Sequence, residues 1–456
     1  MHNSTGNDAG PSTPRPLRAA RSGALKGVVK VPGDKSISHR ALMFSGLATG
    51  HAEVRGLLEA EDTLNTAAAM RALGADVAKE GDVWRIKGRG VGGLSQPQSP
   101  IDFGNSGTGV RLMMGVIAGH AMTVEFIGDA SLSRRPMGRV LRPLKEMGLQ
   151  VLDGDRETLP LKVHGTSRLV PIEYRLPVPS AQVKSAVLIA GLMARGTTTV
   201  LEHEPTRDHT ERMLRYLGAK IESEVRDDGL TAITIHGDAE LTGRDIIVPG
   251  DPSSAAFLIA AAVLVPGSDV TVEGVLVNET RAGFYQTLRE MGADISFLNE
   301  REEGGERIAD IRARHGDLVG VTVPPERAPS MIDEYPILAV VASFARGETR
   351  MRGLAELKVK ESDRLAATAA GLVANGVAAI IEGDDLIVSG GKGIAGGGTV
   401  VTHLDHRMAM SFLIMGLAAE NPVTVDDARV IQTSFTGFEE LMRSLGAEIA
   451  AAPAAD

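Results

Sequence analysis

The 456-residue chain has no cysteine, which excludes disulfides, thiolate nucleophiles and cysteine-based metal sites. Aromatic residues make up only 3% of it, with a single tryptophan. Its interior must therefore be built from aliphatic side chains and from closely packed alanine and glycine. No apolar stretch is long enough to span a membrane; one of the longest is residues 257–265. The eleven histidines show neither an HExxH motif nor any paired-ligand spacing, so no metal is expected. An excess of basic residues is also missing: 48 Lys and Arg face 58 Asp and Glu, a net charge of −10. That balance argues against a general nucleic-acid or membrane-surface binder. Residues 1–22 are rich in Ser, Thr, Pro, Gly and Arg and lack the apolar core of a signal peptide, so they are expected to form a disordered tail. A soluble, cytoplasmic protein, acting as a monomer, is the expectation.

What the chain does have is a repeat. Six times an amphipathic segment ends in a glycine that precedes an apolar strand start, at Gly74, Gly148, Gly218, Gly292, Gly376 and Gly446. Glycine at this position takes the left-handed conformation that closes a helix and turns the chain into a strand. A second helix type, apolar nearly all round, begins near Asp34, Asn105, Ser180, Pro252, Ile332 and Leu404. Helices apolar on every side are interior helices. Each unit of about 70 residues reads as βαβαββ, and six units fit two domains of three. Val31-Pro32-Gly33-Asp34 recurs as Val248-Pro249-Gly250-Asp251, and these two segments are read as the chain crossings between domains. The expected division is residues 34–249 as one domain, with 23–33 plus 250–456 as the other. Two crossings side by side make a hinge, and closure on a ligand follows from it.

The interior helices start with polar groups that a core would not select. After a strand over residues 28–31, Asp34 is a helix cap, and Lys35, Ser36 and Arg40 crowd the first turns. Cations there oppose the helix dipole, and a bound anion is the simplest compensation. Asn105-Ser106-Gly107-Thr108-Gly109-Val110-Arg111 can present backbone N–H groups, although taken alone the segment reads better as a plain tight turn. Ser180-Ala181-Gln182 supplies hydroxyl and amide donors, and Arg134-Arg135 precede Pro136, a good first helix residue. Arg207-Asp208-His209 is either a solvated cap or a substrate contact. In Asp333-Glu334 one carboxylate reads as a cap, which leaves the other as a candidate base. Lys360 and Arg364 share a helical face by spacing, with Glu361 beside them; a surface salt-bridge helix is the ordinary reading of such a run. Arg407 opens an apolar helix and needs an anionic partner, whereas His406 reads as a core histidine. Together these groups predict a cleft for small substrates with several negative charges, without cofactor or metal.

Pro-Gly-Asp-Lys-Ser-Ile-Ser-His-Arg (32–40), Gly-Asn-Ser-Gly-Thr-Gly-Val-Arg (104–111), Ser-Arg-Arg-Pro-Met-Gly (133–138), Ser-Ala-Gln (180–182), Lys-Glu-Ser-Asp-Arg-Leu (360–365) and Asp-His-Arg-Met-Ala-Met (405–410) occur in this order. They resemble the 5-enolpyruvylshikimate-3-phosphate synthase family, from about Gly23 to the C-terminus. The resemblance implies an inside-out α/β barrel of two domains, each of three βαβαββ units, closing over shikimate 3-phosphate and phosphoenolpyruvate. It implies Lys35, Ser36, Arg40, Ser180, Ala181, Gln182, Arg207, Asp333 and Lys360 as contacts of shikimate 3-phosphate. The implied phosphoenolpyruvate contacts are Lys35, Gly107, Arg135, Gln182, Arg364 and Arg407. Glu361 is the implied proton donor and Asp333 the implied base, with Lys35 and Lys360 stabilising developing charge.

Two departures from the better-studied branch stand out. Ala181 replaces a serine, and Thr433 occupies a position where that branch has lysine. The pattern is more similar to the branch that includes glyphosate-insensitive enzymes. The nearest rival is a UDP-N-acetylglucosamine enolpyruvyl transferase, which usually relies on a cysteine-bearing loop absent here. An RNA-end-processing or nucleic-acid-binding protein on the same repeat is another, but it would carry a basic, aromatic-bearing surface. Binding without catalysis is opposed by the intact Asp333, Lys360 and Glu361.

Overall fold

A computed structural model describes residues 13–391 and 393–453. The six interior helices are Lys35–Leu47, Gly107–Ala118, Ala181–Gly191, Pro252–Leu264, Tyr335–Phe344 and His406–Gly416. Every residue of Pro252–Leu264 and of His406–Gly416 is buried. Five of the six are capped by a side chain that accepts a backbone N–H, from Asp34, Ser106, Ser180, Asp251 and Asp405. These helices pack on one another in two groups of three and are enclosed by sheets. Small residues permit the close approach. At Gly115, for example, a Cβ would stand 2.5 Å from the carbonyl oxygen of Ala186 on the neighbouring interior helix.

The six glycines that end the amphipathic helices all have positive φ, between +82° and +117°. Each unit contributes to a four-stranded sheet of constant design: a short strand parallel to the second, then two antiparallel neighbours. Three strands are exchanged around the chain. Ile246–Ile247 pairs parallel with His51–Arg55 of the first unit, and Lys26–Val29 pairs parallel with Asp269–Leu276 of the fourth. The third strand of the last sheet is Leu17–Ala20, set between Val423–Val425 and Glu448–Ala451. Two apolar cores result. One gathers residues from Ile37 to Val248 together with Leu276, the other residues 17–31 and 255–449.

Where the cores meet, Gly33 and Gly250 form an antiparallel bridge. Asp34 N–H donates to the Pro249 carbonyl at 2.8 Å, and Asp251 N–H to the Pro32 carbonyl at 2.9 Å. Glycine is required at position 33, because a Cβ there would lie 1.9 Å from the carbonyl oxygen of Gly56.

Several expectations are corrected. Residues 1–12 of the expected tail lie outside the described residues, but Leu17–Ala20 is an interior strand with Leu17 and Ala19 buried. Its four residues are too few for periodicity to register against the polar context. The strand expected at 28–31 is Lys26–Val29, because Val31 and Pro32 have entered the crossing. Pro136 does not begin a helix; the next one starts at Gly138. Deleting residues 1–21 is expected to remove an inner strand from a four-stranded sheet. Urea denaturation should show a markedly lower midpoint, whereas a dispensable tail would leave it unchanged.

Candidate active site

The starts of the interior helices bring the charged residues together. Asp34 accepts the Ile37 N–H at 2.8 Å, which fixes the first turn that carries Lys35 and Ser36. Lys35 Nζ lies 3.0 Å from Asp62 Oδ2. Burial opposes the Lys35 charge, but Asp62 and Glu361 hold its pKa above the ordinary lysine value. Arg40 is buried beneath this turn. It donates to Thr210 Oγ1 and Ser185 Oγ, each at 2.7 Å, and to the Ser36 carbonyl at 2.9 Å. Burial lowers its pKa to about 10.

Beside it stands an array of guanidinium and amide groups. Arg111 donates to Gln182 Oε1 at 3.2 Å and to the Gly107 carbonyl at 3.3 Å, while Gln182 Nε2 donates to Thr108 at 3.0 Å. Arg135 donates to Asn105 Oδ1 at 2.7 Å. Burial and the nearby Arg135 depress Arg111 to about 10. Ser180 caps its helix through the Val183 N–H, and Ala181 is that helix's first residue, with no side-chain donor. Thr433 donates its hydroxyl to the Val430 carbonyl within its own turn at 2.7 Å.

Asp333 is the junction between the two cores. Arg207 reaches it from one side at 2.7 Å; from the other, Arg364 lies at 3.0 Å and Lys360 at 3.5 Å. Burial alone would raise its pKa, but Lys360, Arg407, Arg207 and Arg364 hold it well below the usual carboxylate range. Arg364, with its side chain 1% exposed, also pairs with Asp405 at 2.8 Å and touches Glu361 Oε2 at 2.6 Å. The Glu361 Oε2 contact is charge to charge, without hydrogen-bond alignment. Burial pushes Glu361 up, while Arg364, His406, Lys360 and Arg135 bring it far below a normal glutamate. Arg407 Nη1 stands 4.0 Å from Glu334.

Three local expectations fail. Lys360 is not on the helix with Arg364: Ala355–Val359 is a short 3₁₀ turn and the helix begins at Arg364, capped by Asp363. The two cations meet instead through Asp333. The run is no surface salt-bridge helix, since Arg364 is buried. Neither Asp333 nor Glu334 caps a helix through its side chain, because both carboxylates are engaged by cations. Asp62, Arg111 and Asp405 carry no role that the sequence alone assigns. Only Arg111 left a signal, its spacing of four from Gly107, which puts both on one helical face.

Among the described residues, one grouping has metal-ligand composition, Asp208, His209 and Glu306. His209 Nδ1 meets Glu306 at 2.7 Å, and Asn278 and Arg212 satisfy the remaining carboxylate oxygens. A cavity of about 950 Å³ follows the crossings, lined by Lys30, Gly33, Gly250 and Arg301 among others. It contains none of the residues above.

The model of the EPSP synthase (3-phosphoshikimate 1-carboxyvinyltransferase) family matches residues 20–442. The chain belongs to the EPSP synthase family. It is 60% identical over 433 residues to the 3-phosphoshikimate 1-carboxyvinyltransferase of Parvibaculum lavamentivorans, covering 94% of this chain and 96% of the relative. A Pseudomonas sp. (strain PG2982) protein of the same name is 59% identical, covering 96% of this chain and 98% of its own length. The EPSP synthase structure from Acinetobacter baumannii superposes with a TM-score of 0.87 at 42% identity, over 96% of this chain and all of that one. The enolpyruvyl transferase NikO from Streptomyces tendae, with a TM-score of 0.75 at 19% identity over the same shares, has the same fold. The two-domain enolpyruvyl transferase architecture is thus established, and the chain is an enzyme of the shikimate pathway. It transfers the enolpyruvyl group of phosphoenolpyruvate to the 5-hydroxyl of shikimate 3-phosphate and releases phosphate. None of its helices is long and apolar enough to cross a membrane among the described residues.

Two buried imidazoles give this enzyme an acid limit. Burial lowers His39 and His406 from the ordinary 6.5 to about 3. The unfolded chain takes up protons on them below pH 6.5 while the folded chain excludes them until about 3. Their contribution is thus fully present above pH 6.5 and is lost as the pH falls. The melting temperature should drop between pH 6.5 and 4, and His39→Gln should flatten that slope. An unchanged slope would rule out His39 as a source.

Proposed function

We propose that the two substrates lie side by side against this charged junction. Shikimate 3-phosphate would rest on Lys35, Ser36, Arg40, Ser180, Ala181, Gln182 and Arg207, with Asp333 and Lys360 closing over it. Phosphoenolpyruvate would lie between Lys35, Gly107, Arg135 and Gln182 on one side and Arg364 and Arg407 on the other. The observation that carries this reading is the bonding of Asp333 to Arg207 from one core and to Arg364 from the other. We take residues 34–249, and 23–33 with 250–456, as lobes that close about the crossings. A monomer in the cytoplasm belongs to the same reading.

The chemistry follows from the charges. Asp333 and Glu361 are carboxylates held by cations. Substrate phosphate and carboxylate groups compete for Arg207, Arg364, Arg407 and Arg135, and so return basicity to both acids. Asp333 then takes the proton of the 5-hydroxyl as that oxygen attacks C2 of phosphoenolpyruvate. Glu361, protonated from solvent once its basicity is restored, delivers that proton to the methylene carbon, giving a tetrahedral ketal phosphate and leaving Glu361 a carboxylate. Lys35 and Lys360 stabilise charge on the phosphate, which departs with cleavage of the C2–O bond as the Glu361 carboxylate takes a proton back from the methyl group and the C=C bond of the product enol ether forms. Closure excludes water from the activated enol ether.

Phosphate release should require both substrates and should not occur when UDP-N-acetylglucosamine replaces shikimate 3-phosphate; release with the nucleotide sugar would overturn the reading. Glu361→Gln should lower kcat by about 10²-fold or more while the calorimetric Kd for shikimate 3-phosphate stays unchanged. Turnover at the wild-type rate would remove Glu361 as donor.

Gly107 sets the room beside phosphoenolpyruvate. A Cβ there would stand 3.0 Å from Arg111 Nη1 and 3.2 Å from Arg135 Nη1, so both guanidiniums must yield by a few tenths of an ångström. Glyphosate, which reaches further than phosphoenolpyruvate in the same space, should lose about 1–3 kcal/mol of binding in Gly107→Ala. The KM for phosphoenolpyruvate should change far less. Competitive inhibition assays on both proteins decide this, and equal inhibition constants would clear position 107 of the role.

A further inference from the structure

Arg281 takes no part in the reaction described above, yet it is one of the most completely buried charges in the enzyme, 4% exposed. It ends the short 3₁₀ turn Glu279–Arg281. Asn278, which caps that turn, also donates to Asp208 of the other core at 2.6 Å. Arg281 Nη1 donates to Asp34 Oδ2 at 2.9 Å, and Nη2 to Asp251 Oδ1 at 3.1 Å and to Ser253 Oγ at 2.8 Å. Asp34 and Asp251 are the equivalent residues of the two Val-Pro-Gly-Asp crossings, and each caps an interior helix, one in each core. One guanidinium therefore holds both caps.

Its reach extends to the site in both directions. Toward one core, Asp34 Oδ1 fixes the first turn of the helix that begins with Lys35. Toward the other, Ser253 Oγ donates a hydrogen bond to Glu334, whose carboxylate stands 4.0 Å from the Arg407 guanidinium. Both contacts are made by Glu334 Oε1, while the buried Oε2 has no hydrogen-bond partner. Burial opposes the charge on Arg281, but Asp34, Asp251 and Glu334 outweigh it and hold the pKa above the ordinary arginine value. A lysine cannot copy this arrangement, since the planar fork is what meets two carboxylates at once.

We propose that Arg281 is a positioning residue for phosphoenolpyruvate: through Asp34 and through Ser253–Glu334 it sets the separation between Lys35 on one core and Arg407 on the other. The proposal rests on the site reading above, in which phosphoenolpyruvate bridges the cores. Of the shikimate 3-phosphate anchors, Lys35 and Ser36 ride on the turn that Asp34 fixes, whereas Arg40, Ser180, Gln182 and Arg207 belong to the first core and bond elsewhere. Loss of the clasp should thus weigh far more on phosphoenolpyruvate than on shikimate 3-phosphate.

The test uses Arg281→Lys, with Ser253→Ala as a milder variant that cuts only the link to Glu334, and Arg407→Gln as the control. Each purified enzyme is assayed for KM of phosphoenolpyruvate, kcat, calorimetric Kd of shikimate 3-phosphate, and melting temperature. In both clasp variants the KM for phosphoenolpyruvate should rise, by about tenfold or more in Arg281→Lys, with lower kcat and a Kd for shikimate 3-phosphate close to wild type. A lowered melting temperature with unchanged KM and kcat would overturn the proposal and leave Arg281 a structural residue. If Arg281→Lys does not fold, Ser253→Ala decides by the same criterion. If Arg407→Gln leaves the KM for phosphoenolpyruvate unchanged, the site reading itself fails; if it raises the KM while the clasp variants do not, only the clasp fails.

Discussion

Charge compensation at the starts of the interior helices governs how this enzyme is built. Helix N-termini carry partial positive charge, and the sequence adds arginine and lysine to them. Arg364, which opens the neighbouring helix Arg364–Ala374, shows how such a charge is tolerated: it is enclosed almost completely, and Asp405, Glu361 and Asp333 surround it. Burial opposes its charge, and those carboxylates more than offset the penalty. Asp405 is itself tied down, accepting the Arg407 N–H and the Ser362 hydroxyl. Asp333 and Glu361, the acids to which the proposed chemistry is assigned, are thus also counter-ions of the buried Arg364.

Much of the fold was legible because its periodic elements impose strong local rules. A left-handed glycine must close each amphipathic helix, and a helix apolar on all sides must be interior, so both could be counted. The paired Val-Pro-Gly-Asp segments could likewise be read as crossings. What could not be read is pairing at a distance. Nothing in the residues around Leu17 says that their hydrogen-bond partners lie at Val423–Val425 and Glu448–Ala451. Four residues of strand carry too little pattern to stand out from Pro, Arg and Ser.

The candidate site divided in the same way. Lys35, Arg40 and Arg407 stood out because a cation at the start of an apolar helix has no local explanation, whereas Arg207 and Arg364 had ordinary readings as a solvated cap and a surface salt-bridge run. Asp62 did not stand out, since an acid in the first turn of a helix is ordinary; its contact with Lys35 comes from the packing of helix Glu61–Ala72 beside Lys35–Leu47. Arg111 was visible but lacked a role until Gln182 and the Gly107 carbonyl were found around it. The spacing of Lys360 and Arg364 suggested a shared helix face, whereas a helix cap at Asp363 divides them. Spacing describes neighbours only when the element is known, and here the right partner emerged for a different reason.

The exchanged strands have a consequence for how the protein is made. The ribosome releases Leu17–Ala20 and Lys26–Val29 first, yet their partners in the second core are added at Asp269–Leu276 and at the very end, in Glu448–Ala451. The first core lacks only Val248 and Leu276 once Ile246–Ile247 has emerged, and it can fold while the rest is being translated. The segment carrying Leu17–Ala20 has to wait, tethered to a finished body, with strand edges unsatisfied until Glu448–Ala451 has been made. Long-range pairing of this kind delays closure of the second core. In the nascent chain the earliest residues are thus among the last to find their place.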